Sequence, residues 1–130
     1  MGKFKVLVVD DEPFICRSLS FVLRKDDYEV FEARNGEEAL DVIRSERPDL
    51  VFLDVMMPKI NGFEVTRTVK TDGELKGTLI VLLTAKGQDA DRQTGEESGA
   101  DAYMTKPFSP TKILEQARVL LQAKIQRTSS

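Results

Sequence analysis

Two adjacent carboxylates, Asp10 and Asp11, follow an apolar run that ends at Val9, and a third, Asp54, interrupts another apolar run before Val55. Glu12 adds a fourth acid, directly ahead of Pro13. Carboxylates brought together raise one another's pKa and repel by up to a few kcal/mol each at an effective dielectric of about 20, so their convergence calls for a cation. With no histidine in the chain and Cys16 the single thiol, the available ligands are oxygens. Such a site suits a hard cation such as Mg²⁺, which takes few protein ligands and keeps its waters. Two further apolar runs close on Thr84 and Lys106, a hydroxyl and an ammonium. A carboxylate nucleophile beside a divalent cation, a hydroxyl donor and a lysine is what phosphoryl transfer requires, because charge spreads over the equatorial oxygens as the group moves. The competing reading is that acids at the ends of runs are solvated or cap a helix. For Glu12 that reading is as good as a functional one; for Asp54, inside an apolar run, it is poor.

These residues can act together only if the fold brings them together. Five apolar runs, at 4–9, 28–33, 50–55, 79–85 and 102–105, are short and rich in Val, Ile, Leu, Phe or Tyr, as strands are. Helical spacing lies between them: Ile15, Leu19, Val22 and Leu23; Ala39, Leu40 and Ile43; more weakly Phe63, Val65 and Val69. The last segment is the clearest, with Ile113, Leu114, Ala117, Leu120, Leu121 and Ile125 in one stripe behind Ser109 and Pro110. Strand and helix alternate, which predicts an α/β fold: a doubly wound, flavodoxin-like (βα)5 unit whose five parallel strands run in the order 2-1-3-4-5. The first, third and fourth runs are almost continuously apolar and belong in the middle of the sheet. The switch point then falls between strands 1 and 3, and the crevice at their carboxyl ends receives Asp10, Asp11 and Asp54, with Thr84 and Lys106 on the same edge.

Composition bounds the rest. A chain of 130 residues is one domain, assigned to residues 1–126 with a short tail at 127–130. At this size about two-thirds of the unfolded surface is buried, enough for a core without disulfides or a structural metal. The absence of histidine excludes histidine general bases, imidazole metal sites and phosphohistidine chemistry on this chain. A lone cysteine suits a reducing, cytoplasmic setting, and no apolar stretch approaches the roughly 20 residues that span a bilayer. The net charge of -3 argues against nucleic acid as a direct partner. From Tyr103 onward, however, five bases face one acid, read as the solvated basic face of a helix or as a docking patch. The segment 88–98 holds a single aliphatic side chain, Ala90, and a helix polar all round packs loosely, so mobility is expected there until phosphorylation or a partner orders it.

The pair Asp10-Asp11, Asp54 with Met57-Pro58 and Gly62 behind it, Thr84-Ala85 and Lys106-Pro107 stand in the order and at the intervals of a known family. By these motifs the chain resembles the receiver domain of bacterial two-component response regulators, over residues 3–126. The resemblance implies that Asp54 accepts a phosphoryl group from the phosphohistidine of a sensor kinase or histidine phosphotransfer protein. It implies that Asp11, Asp54 and the Met56 carbonyl ligate Mg²⁺, with Asp10 assisting through water. Lys106 would pair with the phosphoryl group, Thr84 would turn its hydroxyl toward it, and Tyr103 would be the aromatic switch that couples the site to the face of the fourth helix, fifth strand and fifth helix. On that face a phosphorylation-dependent homodimer or another partner would bind. Such a chain is a phosphoacceptor that catalyses only its own phosphorylation and dephosphorylation. Met56 and Lys86, two residues beyond Asp54 and Thr84, cannot readily orient an attacking water, so slow self-dephosphorylation is expected. The rival readings are a constitutive interaction domain, a flavodoxin-like cofactor binder, whose phosphate Asp10-Asp11-Glu12 would repel, and an aspartyl phosphatase, whose second acid would stand where Met56 does.

Overall fold

The structure is a computed structural model that describes residues 3–57, 60–85, 99–106 and 109–129. Five strands, β1 (Lys5–Val9), β2 (Glu29–Ala33), β3 (Leu50–Asp54), β4 (Leu79–Ala85) and β5 (Ala102–Lys106), form one sheet in the order β2-β1-β3-β4-β5. Every neighbouring pair is parallel. The described helices are α1 (Pro13–Lys25), α2 (Gly36–Glu46), α3 (Gly62–Thr71) and a C-terminal helix, Pro110–Ser129. The architecture is the doubly wound one expected, with the three most apolar strands in the centre. The segment 88–98, for which mobility was expected, lies outside the described residues. Among the described residues no helix is long and apolar enough to cross a membrane.

Each face of the sheet carries its own core. On one, Val6, Val8, Phe52, Val81 and Leu83 pack against Cys16, Leu19 and Leu23 of α1 and Ile113, Ala117 and Leu121 of the C-terminal helix. On the other, Leu7, Val9, Val51, Leu53, Ile80 and Leu82 meet Ala39, Leu40 and Ile43 of α2 and Val65 and Val69 of α3. The two-residue side-chain period of a strand sorts alternate residues to opposite faces, and runs buried on both faces must be apolar throughout. One stripe differs from its sequence pattern. In α1 the buried line is Cys16, Leu19, Ser20 and Leu23, with Ile15 and Val22 at its flanks. The thiol behaves as a small hydrophobe, and its Sγ lies 3.6 Å from the Val8 carbonyl oxygen.

Local chemistry fixes where helices start. Pro13 occupies the first turn of α1, where its missing N–H costs nothing. The same tetrad type, Asn-Gly-x-Glu, opens α2 and α3: Asn35 accepts from the Glu38 N–H at 2.9 Å and Asn61 from the Glu64 N–H at 3.0 Å. Cross-chain ties then lock the elements. Arg118 of the C-terminal helix forms a two-pronged pair with Asp26 at the end of α1, at 3.1 and 3.0 Å, and Lys124 reaches Asp49 at 3.4 Å. Two of the bases that the sequence grouped into a basic face are therefore engaged within the domain.

At the end of α3, Lys70 lies 2.7 Å from Asp101 and donates to the Thr78 carbonyl at 2.7 Å; Asp101 in turn accepts from the Ile80 N–H at 2.8 Å. This knot joins α3, the start of β4 and the approach to β5. Lys70→Met keeps most of the stem but strands the Asp101 carboxylate, whose side chain is 24% exposed. The variant should lose about 1–3 kcal/mol of stability in urea melts.

Candidate functional site

The carboxyl ends of β1, β3, β4 and β5 deliver the residues that could do chemistry. Asp10 follows β1 directly and is fully buried; its Oδ1 accepts the Glu12 N–H at 2.9 Å and its Oδ2 lies 3.0 Å from Lys106 Nζ. Asp11 next to it is exposed. Asp54 is the last residue of β3 and 5% exposed; its Oδ1 accepts the Met56 N–H at 3.3 Å and stands 3.5 Å from Lys106 Nζ. One ligand oxygen from each of Asp10, Asp11 and Asp54 can be chosen so that all lie within 4.8 Å of one another. The clustering expected of the three acids is thus present, with Lys106 bridging two of them.

Thr84 and Tyr103 sit deeper on the same edge. Thr84 is buried at the end of β4, in register with Thr105; Tyr103 is half-buried in β5, in register with Leu82. Tyr103 packs against the core on the α2 and α3 side, as Leu82 does. Because paired residues of parallel strands share a face, Thr84 and Tyr103 are diagonal neighbours on one side of the sheet. β5 runs one residue beyond its apolar pattern, and this extension carries Lys106 to the acids. Glu12, whose role the sequence left open, stands at the start of α1 without making a side-chain cap. Instead its N–H is held by Asp10. Met56 is a surface residue, 69% exposed, and Phe14 in the first turn of α1 is 80% exposed. Pro58, Lys59 and Lys86 lie outside the described residues.

Burial dominates the electrostatics. It raises the Asp54 pKa to about 6, helped by the Asp10 charge and, less, by Asp11, while Lys106 and the Met56 N–H pull the other way. For Lys106, burial alone would lower the pKa, but the hydrogen bond to Asp10 and the charges of Asp54 and Asp10 outweigh it and the ammonium titrates above its ordinary value. Among the described residues the pocket therefore sets one ammonium against three acids, a balance that favours a further cation. The donor set fits a small hard cation: all-oxygen, with Asp11 on the open side and Asp10 already bound by Lys106. One oxygen from each acid within 4.8 Å of the others is close enough for the three to share one ion, directly or through its retained waters.

Fold and site together define a class: a doubly wound α/β domain with a buried aspartate, a cluster of acids that could hold a cation, and a lysine converging at its switch point. The chain belongs to the response regulator receiver domain family, whose model matches residues 6–118. It is 47% identical over 128 residues to a probable transcriptional regulator, ycf27, of Pyropia yezoensis, covering 98% of this chain and 51% of that protein. It is 44% identical over 118 residues to the transcriptional regulatory protein ResD of Bacillus subtilis (strain 168), covering 91% and 48%. Among solved structures, the chemotaxis response regulator CheY4 of Vibrio cholerae superposes with a TM-score of 0.86 at 34% identity, over 92% of this chain and 99% of that one. A putative response regulator from Chloroflexus aurantiacus J-10-fl gives 0.88 at 35% identity, over 93% and 99%. The chain spans about half the length of the curated relatives it matches.

Proposed function

We propose that the domain receives a phosphoryl group on Asp54 from the phosphohistidine of a sensor histidine kinase or a histidine phosphotransfer protein, in a Mg²⁺-dependent step. The observation that carries this reading is the Asp54 carboxylate itself, buried at a sheet switch point, 3.5 Å from the Lys106 ammonium and clustered with Asp10 and Asp11. Asp11, Asp54 and the Met56 carbonyl would hold the Mg²⁺, with Asp10 assisting through a water, and the bound ion would supply positive charge to offset that of the transferring oxygens. In the transfer, the P–N bond to the donor imidazole breaks as a P–O bond to Asp54 forms, and the imidazole keeps the electron pair. Above pH 6 Asp54 is ionised and able to attack. Lys106 trades its place between Asp10 and Asp54 for the new anionic oxygens, gaining charge-assisted hydrogen bonds worth roughly 1.5–3 kcal/mol each.

Thr84 joins by turning its hydroxyl to the phosphoryl group, and the diagonal Tyr103 then repacks, so a local charge biases the β5 face that meets a partner or a second copy of the chain. The domain is a phosphoacceptor and not a turnover enzyme. Direct nucleic-acid binding and any DNA-reading output belong to sequence outside this domain, and its setting is the reducing cytoplasm. With Mg²⁺ and acetyl phosphate, intact mass should gain one phosphoryl group, and Asp54→Asn should gain none. Uptake by the Asn variant would refute the assignment.

Met56 brings only a thioether to the lip of the site. It can neither orient nor deprotonate a water for attack on the acyl phosphate. The phosphoryl group should therefore persist for minutes or longer once donor is removed. Decay within seconds would contradict this.

A further inference from the structure

We propose that Met56 is a peroxide-modified residue whose oxidation shortens the life of the phosphoryl group on Asp54. The inference rests on the phosphoacceptor reading above and adds a second input to the same site. Methionine oxidation follows exposure, and the described methionines differ sharply in it. Met56 is 69% exposed, whereas Met57 is half-buried against the α2 and α3 core and Met104 is half-buried against the opposite one. Cys16, the chain's other sulfur chemistry, is fully buried behind α1, with its thiol pushed up to about 11, and offers peroxide no thiolate.

Position gives the modification its consequence. Met56 donates its N–H to Asp54 Oδ1 at 3.3 Å, so its side chain leaves the backbone two residues beyond the phosphoacceptor, at the exposed lip. In the step, the thioether sulfur attacks a hydroperoxide, the O–O bond breaks, an S=O bond forms, and water (or an alcohol) leaves. Sulfur is oxidised by two electrons and the peroxide is reduced. An apolar, flexible group becomes a polar sulfoxide with a strong acceptor oxygen. That oxygen can hold a water by one of its protons, and a water held beside an acyl phosphate is a better-placed nucleophile than a freely diffusing one. Oxidation thus installs at this lip the acceptor that the unmodified residue lacks.

The test is dilute hydrogen peroxide on the whole chain, with tandem mass mapping of each methionine, then acetyl phosphate and Mg²⁺ and the decay of the phosphoryl group after donor removal. Met56 should oxidise several times faster than Met57 or Met104, and the phosphoryl lifetime should shorten severalfold in proportion to Met56 sulfoxide. In Met56→Leu, peroxide should leave the lifetime unchanged, and in Met57→Leu the peroxide effect should persist. Equal oxidation of the three methionines, an unchanged lifetime in the sulfoxide form, or a peroxide effect that survives Met56→Leu overturns the inference while leaving Asp54 as acceptor. An unoxidised chain that takes up no phosphoryl group overturns both.

Discussion

Asp54→Asn should stabilise the metal-free protein at neutral pH while removing its phosphoryl acceptor. The cause is the raised pKa. In the folded state Asp54 gives up its proton near pH 6, against 3.8 for the ordinary value. Well below pH 3.8 both states are protonated and the group is neutral with respect to stability. As pH rises past 3.8 the unfolded chain ionises first, so the native state loses ground, and the loss levels off only once the pH has passed well above 6. The difference amounts to about 3 kcal/mol at pH 7, which for a domain of this size is about 10 °C in melting temperature. Asparagine carries no charge at any pH and escapes that penalty. Thermal melts in EDTA from pH 4.5 to 8 should show wild-type stability falling relative to the Asn variant, with the gap opening between pH 4 and 6. Saturating Mg²⁺ should narrow the gap from the wild-type side, by about 2.7 kcal/mol at one hundred times the dissociation constant. A wild type more stable than Asp54→Asn in EDTA at pH 7 would show that Lys106 compensates Asp54 more fully than its 3.5 Å separation suggests.

That penalty also explains why one part of the site was legible in the sequence and another was not. Asp54 stands out because a charge inside an apolar strand is expensive and must be there for a reason. The strand order follows from alternation and from which runs are wholly apolar, and together they put Asp10, Asp11, Thr84 and Lys106 on one edge. What spacing cannot reveal is how the charges share out. The 3.0 Å contact between Lys106 and Asp10 joins residues 96 apart, and its preference over the 3.5 Å contact to Asp54 depends on side-chain reach, not on pattern. The Lys70–Asp101 knot and the Arg118–Asp26 pair are hidden for the same reason, since each exists only after distant elements have docked. Exposure of Met56 beside the buried Val55 is equally a property of the turn after β3.

Glycine is where a sequence signal and its physical cause part company most clearly. Gly62 stands between the end of β3 and the body of α3, where a glycine ordinarily supplies a turn. Its φ is not positive, and its role is proximity: a Cβ there would lie 2.6 Å from the Asp54 carbonyl oxygen and 2.9 Å from Val55 Cα, both backbone atoms that cannot rotate aside. The first turn of α3 thus rests directly on the end of β3, and the Gly62 N–H donates to the Val55 carbonyl at 3.1 Å. Gly36, at the matching position of the other Asn-Gly-x-Glu start, is held as closely against Ile60. Gly62→Ala must push α3 away from the strand end, and overpacking of this kind costs about 1–3 kcal/mol, here at the upper end because neither contact is a side chain. The same displacement moves the turn whose Met56 N–H fixes Asp54 Oδ1, so phosphoryl uptake from acetyl phosphate should slow as well. Gly73→Ala and Gly77→Ala provide the contrast: nothing lies within 4 Å of either added Cβ, and neither backbone needs the left-handed region. Those two variants should be neutral or gain about 0.4–1 kcal/mol through the unfolded state. Urea melts of the three variants, with uptake measured on each, separate close approach from chain flexibility; a Gly62→Ala protein as stable and as reactive as Gly73→Ala would mean that α3 can slide on β3 without disturbing Asp54.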